Sequence, residues 1–118
     1  MTEAEVVSQV KGWLEAQGWR GVRMQRTIMR GQFQTGEPGI PDYFFVHYGL
    51  GRAIWVEFKA PGKSAVCRCA TKKPRQRCTA CDQKAWHVRE RVRGGTVFEQ
   101  VEDLEQFKGR LNAWMRGK

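Results

Sequence analysis

Three residues near the middle of the chain are of types that manage phosphate through a metal ion: Asp42, Glu57 and Lys59. Two carboxylates are hard oxygen ligands of the kind that hold Mg²⁺, which keeps several waters and takes the rest of its shell from one or two carboxylates and substrate phosphates. A lysine beside them can orient, or help deprotonate, a water that such an ion has made acidic. Glu57 and Lys59 are two residues apart, so on a strand they project from one face while Val56 and Phe58 project from the other. A Glu-x-Lys pair is also what an ordinary solvated strand face carries, and such pairs contribute little. The chemistry therefore turns on whether Asp42 reaches the same surface.

The elements that must bring it there are local. Tyr43 to Tyr48 and Ala53 to Phe58 are rich in β-branched and aromatic residues and flank Gly49-Leu50-Gly51, which predicts a β-hairpin. Pro41 presets the chain before the first strand, and Pro61-Gly62 stops the second. Asp42 then begins the partner strand and converges on Glu57 if the register is right.

A second group follows closely. All four cysteines, Cys67, Cys69, Cys78 and Cys81, fall in one segment as C-x-C, eight residues, then C-x-x-C. Four thiolates so close favour a tetrahedral structural Zn²⁺ site with no open position for catalysis. Two disulfides are the rival pattern and need an oxidising compartment; a redox-active pair is a further alternative. The same loop carries Arg68, Lys72, Lys73, Arg75 and Arg77 and no acid. Zinc and four thiolates contribute −2, so these five cations leave the loop near +3 and move the chain from +9 to about +7. A positive knuckle of this kind suits phosphate contact, although a solvated charge run is the ordinary alternative.

Composition bounds the partners. The 118 residues correspond to one domain, 1–118, and 21 Lys and Arg against 12 Asp and Glu give a formal charge of +9, which points to nucleic acid rather than to a membrane. No apolar run approaches the length of a spanning helix, and the N-terminus, with Glu3 and Glu5, lacks a secretory signal. An intracellular, cytoplasmic location is expected (the host cytoplasm if the source is viral).

Around the hairpin, Val6, Val10, Trp13 and Leu14 predict a helix over Thr2 to Gln17, with Thr2 as N-cap and Gly18 as its end. Acids in its first turn suit the helix dipole. Alternation from Val22 to Arg26 predicts a first strand, with Arg23 and Gln25 on one side; Arg20 and Arg30 read as a charged solvent face. Residues 31–39 read as a loop at the mouth of the cleft. Asp82 predicts the cap of a helix reaching about Arg93, anchored by Trp86 and ended by Gly94-Gly95. Thr96 to Phe98 read as a short strand and Val101 to Trp114 as a closing helix with Leu104, Phe107, Leu111 and Trp114 on one face. His47 and His87 read as packing or surface histidines.

The pattern Gly39-x-Pro41-Asp42, then fourteen residues, then Glu57-x-Lys59 preceded by two apolar residues and followed by Ala60-Pro61-Gly62, resembles the PD-(D/E)xK nuclease superfamily, and within it the virus-type replication-repair nuclease (VRR-NUC) family. Gln83-x-x-Trp86, and the succession Gly94-Gly95, strand, Glu102-Asp103-Leu104, extend the likeness over nearly all of the chain outside the cysteine loop. The resemblance implies an α/β, restriction-endonuclease-like core in the order α-β-β-β-α-β-α, with the cysteine loop, at about 64–81, as an insertion. It implies metal-dependent hydrolysis of phosphodiester bonds in DNA. Asp42, Glu57, Glu3 and the Phe58 carbonyl would hold Mg²⁺ or Mn²⁺, Lys59 would serve the attacking water, and Gln83 would complete the cluster. Glu3 fits the family position better than Glu5, and Arg23 matches an arginine near the cleft. Stand-alone family members resemble structure-specific endonucleases that cut branched DNA such as four-way (Holliday) junctions in repair, commonly as homodimers. The competing expectation is a zinc-stabilised nucleic-acid-binding protein with a non-catalytic nuclease fold.

Overall fold

Helix α1 (Glu3–Ala16) starts at a capping box, in which the Thr2 hydroxyl accepts from the Glu5 N–H and the Glu5 carboxylate accepts from the Thr2 N–H. Its Val6, Val10 and Leu14, spaced by four, are fully buried. The computed structural model describes residues 1–24, 28–29, 33–34, 39–63, 66–71 and 78–117.

After α1 come strand β1 (Arg20–Arg23), the short strands β2 (Ile28–Met29) and β3 (Phe33–Gln34), and the hairpin β4 (Tyr43–His47) and β5 (Arg52–Phe58). Helix α2 (Thr79–Val92), strand β6 (Val97–Val101) and helix α3 (Leu104–Arg116) complete the order. The main sheet runs β1-β4-β5-β6; β1, β4 and β5 are antiparallel, and β6 is parallel to β5, reached through α2. A parallel pair needs such a crossover, and a helix is the usual one.

Alternation sorts the two faces. Phe45, Ile54, Val56 and Phe58 face α1 and α3 and build the core with Val6, Val10, Leu14, Phe98, Val101, Phe107 and Leu111. Phe44, Trp55 and Glu57 occupy the other face, where Trp55 meets the buried Trp86 of α2 at a ring separation of 4.8 Å. Among the described residues, no helix is long and apolar enough to cross a membrane.

Several boundaries differ from the sequence-based expectations, each for a physical reason. The first strand is Arg20–Arg23 rather than Val22–Arg26, because its ladder with β4 runs from Arg20 opposite Val46 to Arg23 opposite Tyr43; Gln25 and Arg26 lie outside the described residues. Within the expected loop over 31–39, Phe33–Gln34 pairs antiparallel with Ile28–Met29 as a separate two-stranded ribbon. Helix α2 begins at Thr79, with Cys78 rather than Asp82 at the cap. Val101 ends β6 instead of opening the last helix, which starts after Asp103, whose carboxylate accepts from the N–H groups of Glu105 and Gln106. Lys59 falls just past the end of β5.

One irregularity in β6 matters for the site. Val56 lies opposite Phe98 but Phe58 lies opposite Val101, so β6 carries one extra residue. Gln100 absorbs it with φ +52, a left-handed conformation that costs a side-chain-bearing residue roughly 1–2 kcal/mol. The bulge lets Phe98 and Val101, three apart, both enter the core, while Glu99 turns to the α2 side.

Candidate active site

The hairpin register places Tyr43 opposite Val56, so Asp42 is level with Glu57 and on its side of the sheet. Asp42 Oδ2 accepts from the Phe58 N–H at 2.9 Å, and the Asp42 carbonyl accepts from the Met24 N–H at 2.9 Å, which fixes the residue at both ends. Asp42 is exposed; Glu57 is buried, with 5% of its surface accessible. Lys59, half-buried, donates its backbone N–H to the Val101 carbonyl at 3.0 Å, which ties the chain beyond β5 to β6.

Glu3 stands at the same corner. Its carboxyl is raised above the usual glutamate range, first by burial and then by the negative charge of Asp42; Lys59 opposes the shift and Glu57 adds to it. Three carboxylates and one ammonium are thus within electrostatic reach of one another. Glu5 is committed elsewhere, since its carboxylate is held below the usual range by the Thr2 backbone N–H and hydroxyl of the capping box. Replacing Glu3 by Gln is therefore expected to raise the Mg²⁺ or Mn²⁺ concentration needed for half-maximal cleavage by about tenfold, whereas Glu5→Gln lowers only the melting temperature. A metal titration of both variants would decide it; equal metal requirements would remove Glu3 from the site.

Helix α2 brings Gln83 and His87, one helical turn apart, onto the face that looks at Glu57. It can lie this close because Gly39, buried with φ +83, packs its Cα directly against the Asp82–Gln83 backbone, where any Cβ would collide with the Asp82 carbonyl. The glycine of the Gly39-x-Pro41-Asp42 pattern is thus the point where the hairpin entry and α2 touch. A cleft of about 390 Å³ lies beside α2, lined by Glu57 of β5, Gln83, Lys84 and His87 of α2, Gln100 of β6 and the cysteines Cys67 and Cys81.

His87 is not the surface or packing residue expected from its sequence context. It is 3% exposed and lies between two acids, with Nδ1 2.8 Å from Glu99 Oε2 and Nε2 3.2 Å from Glu57 Oε2. Burial alone would lower its pKa, but the Glu57 and Glu99 carboxylates outweigh that and raise it. Its one-turn spacing from Gln83 was the available signal for a shared face. Glu99 faces the α2 side by alternation after the core residue Phe98, but its place beside His87 follows from the parallel β5–β6 register, which no local pattern announces. His47, by contrast, is structural: Nδ1 accepts from the Leu50 N–H at 3.1 Å, so Nε2 carries the proton shared with the Gln17 carbonyl at 3.0 Å.

The corner fits a hard cation. Glu57 Oε2 and His87 Nε2 are both buried with no aligned hydrogen bond despite their 3.2 Å approach, and a buried carboxylate oxygen left so is costly. A divalent ion would relieve both this and the crowding of Glu3, Asp42 and Glu57, and the donors are all oxygens. Phe58, whose N–H holds Asp42, ends β5 between Glu57 and Lys59, where the resemblance places a carbonyl ligand.

The four cysteines converge as well. Their sulfurs all lie within 4.8 Å of one another, and none is in a disulfide. Cys67–Cys81, Cys69–Cys81 and Cys67–Cys78 are 3.7, 3.5 and 3.9 Å apart. A tetrahedron of Zn–S bonds has edges of about 3.8 Å, so the set fits zinc. The Arg68 N–H donates to Cys78 Sγ at 3.3 Å and, with the Cys81 N–H, pulls that thiol down to about 6. The neighbouring sulfurs push Cys81 up to about 12, a crowding of thiols that a bound cation would relieve.

Of the expected phosphate contacts, Arg23 is exposed at the end of β1, opposite Tyr43 and so beside Asp42, and Arg68 is exposed within the cysteine loop. Lys72, Lys73, Arg75 and Arg77 lie outside the described residues.

No family model matches the sequence, and no curated protein matches it significantly. The structure, in contrast, is similar to a solved VRR_NUC domain, with a TM-score of 0.59 and 22% identity over 93% of this chain and 94% of that one. The similarity therefore lies in the architecture. The chain has the fold of a VRR_NUC domain, a nuclease fold.

Proposed function

We propose that the chain is a divalent-metal-dependent DNA endonuclease that hydrolyses phosphodiester bonds. The observation that carries this is the convergence of Glu3, Asp42, Glu57 and Lys59 at the open end of the hairpin. Glu3, Asp42, Glu57 and the Phe58 carbonyl would hold Mg²⁺ or Mn²⁺. Bound there, the ion supplies Lewis-acid neutralisation of the phosphate and a more acidic water. Lys59 orients the attacking water or the phosphate oxygen through its ammonium. Gln83, on the wall of the cleft, supplies amide donors to the same phosphate. His87 and Glu99 keep Glu57 out of bulk water.

The cysteine loop, at about 64–81, is an insertion that binds one structural Zn²⁺, and Arg23, Arg68, Lys72, Lys73, Arg75 and Arg77 contact the DNA backbone. A binding module with a spent nuclease fold gains little from carboxylates facing phosphate, which argues for catalysis. The substrate is branched DNA such as a four-way junction, cut by a cytoplasmic homodimer, since a symmetric cut needs two active sites and each 118-residue chain carries one. Labelled four-way junction, flap and linear duplex, each with Mg²⁺ or Mn²⁺ and then with chelator, test this directly. Metal-dependent cutting of the junction in preference to the duplex is expected. Tight binding without a cut in either metal would favour the inert, zinc-stabilised binding module.

A further inference from the structure

Glu57 is the least solvated acid of the corner, and its neighbours on the far side from Asp42 have no part in the reaction outlined above. His87 comes from the second half of α2 and Glu99 from β6, so two separate elements converge on one carboxylate. Glu99 follows the core residue Phe98 and so faces α2 by ordinary strand alternation, with the bulge and its left-handed Gln100, φ +52, immediately after it. The ring of His87 has no solvent to move in, and its Nδ1 contact to Glu99, at 2.8 Å, is the shorter of its two.

We propose that Glu99, acting through His87, is a positioning residue for the Glu57 carboxylate, holding it in the orientation that binds the divalent cation. This rests on Glu57 being a metal ligand. Glu99 fixes the ring through Nδ1, and the ring, with Nε2 3.2 Å from Glu57 Oε2, stands against that carboxylate and limits where it can turn, as outer partners do for ligands in metal sites generally. Glu99 is half-exposed, with Arg91 at 3.7 Å and Arg110, which donates to its carbonyl at 2.8 Å, as further charged neighbours, so its side chain can be removed without opening the core.

The test is direct Mn²⁺ binding by the folded protein, read by electron paramagnetic resonance of the free ion, for wild type, Glu99→Ala, Glu99→Gln and Asp42→Asn, with melting temperatures alongside. Glu99→Ala is expected to weaken Mn²⁺ binding about tenfold. Glu99→Gln keeps an oxygen to accept from His87 Nδ1 and should recover most of that loss. A Glu99→Ala protein that melts lower but binds Mn²⁺ as wild type would make the residue merely structural and overturn the inference. Glu99→Gln as weak as Glu99→Ala would reduce Glu99 to a distant charge and overturn it equally. Asp42→Asn separates the two levels: if it leaves Mn²⁺ binding unchanged, the metal corner itself fails, whatever Glu99 does.

Discussion

If the proposed activity holds, Asp42→Asn is expected to abolish most cleavage while leaving the fold in place. The amide keeps an oxygen to accept from the Phe58 N–H, so the 2.9 Å tie between the hairpin strands survives. What is lost is a charge at a corner where Glu3 is already pushed toward protonation by burial and by Asp42. Removing that repulsion should, if anything, stabilise the metal-free protein. Metal-assisted charge stabilisation is worth several kcal/mol in the transition state, and each 1.36 kcal/mol is tenfold in rate, so a loss of roughly 10³-fold is expected in single-turnover cleavage. Lys59→Ala should cost about 10²–10³-fold by removing one preorganised donor, without affecting metal binding. Wild-type rates in both variants, with intact circular dichroism, would refute the assignment of this corner to catalysis.

Removing the zinc ligands is expected to have the other large effect, and to do so at a distance. Cys78 occupies the cap position of α2, where its sulfur faces the Cys81 N–H, and Cys81 itself lies in the first turn. The cluster therefore replaces an ordinary N-cap, and the same helix carries Gln83 and His87 to the cleft. A Cys67→Ser, Cys69→Ser double variant should lose its zinc by metal analysis, melt several degrees lower, and cleave at least tenfold more slowly even in saturating Mg²⁺. Wild-type protein should contain one zinc per chain. Full activity and unchanged melting in the double variant would show that the cysteines do not support α2. The sheet core, built from β1, β4, β5, β6, α1 and α3, should persist, so the loss is local rather than an unfolding.

The hairpin and the three helices were legible because their signals are local: alternation on either side of Gly49-Leu50-Gly51, and apolar residues spaced by three and four in α1 and α3. The pairing of Asp42 with Glu57 followed once the turn was placed. The resemblance to a VRR-NUC nuclease is matched by the fold, and the four cysteines do come together. The start of α2 was misread because aspartate is a far better cap than cysteine by side-chain chemistry, and only the three-dimensional cluster makes Cys78 the cap. His87 and Glu99 were illegible for a different reason. Their meeting depends on the register of a parallel strand pair separated by a whole helix, and no local pattern around Glu99 announces that register.

The position of the knuckle has a consequence for variation. The sulfurs of Cys67, Cys69, Cys78 and Cys81 lie within 4.8 Å of one another, so a zinc ion bound there would fix both ends of the segment between Cys69 and Cys78 whatever its length. Loop closure grows only logarithmically, by about 0.6 kcal/mol for each doubling of length. Residues there can be added, removed or recharged with little thermodynamic consequence for α2 or for the acidic corner. If the proposed function holds, substrate preference can thus diverge in the sequence of this one segment while the acidic corner stays constant.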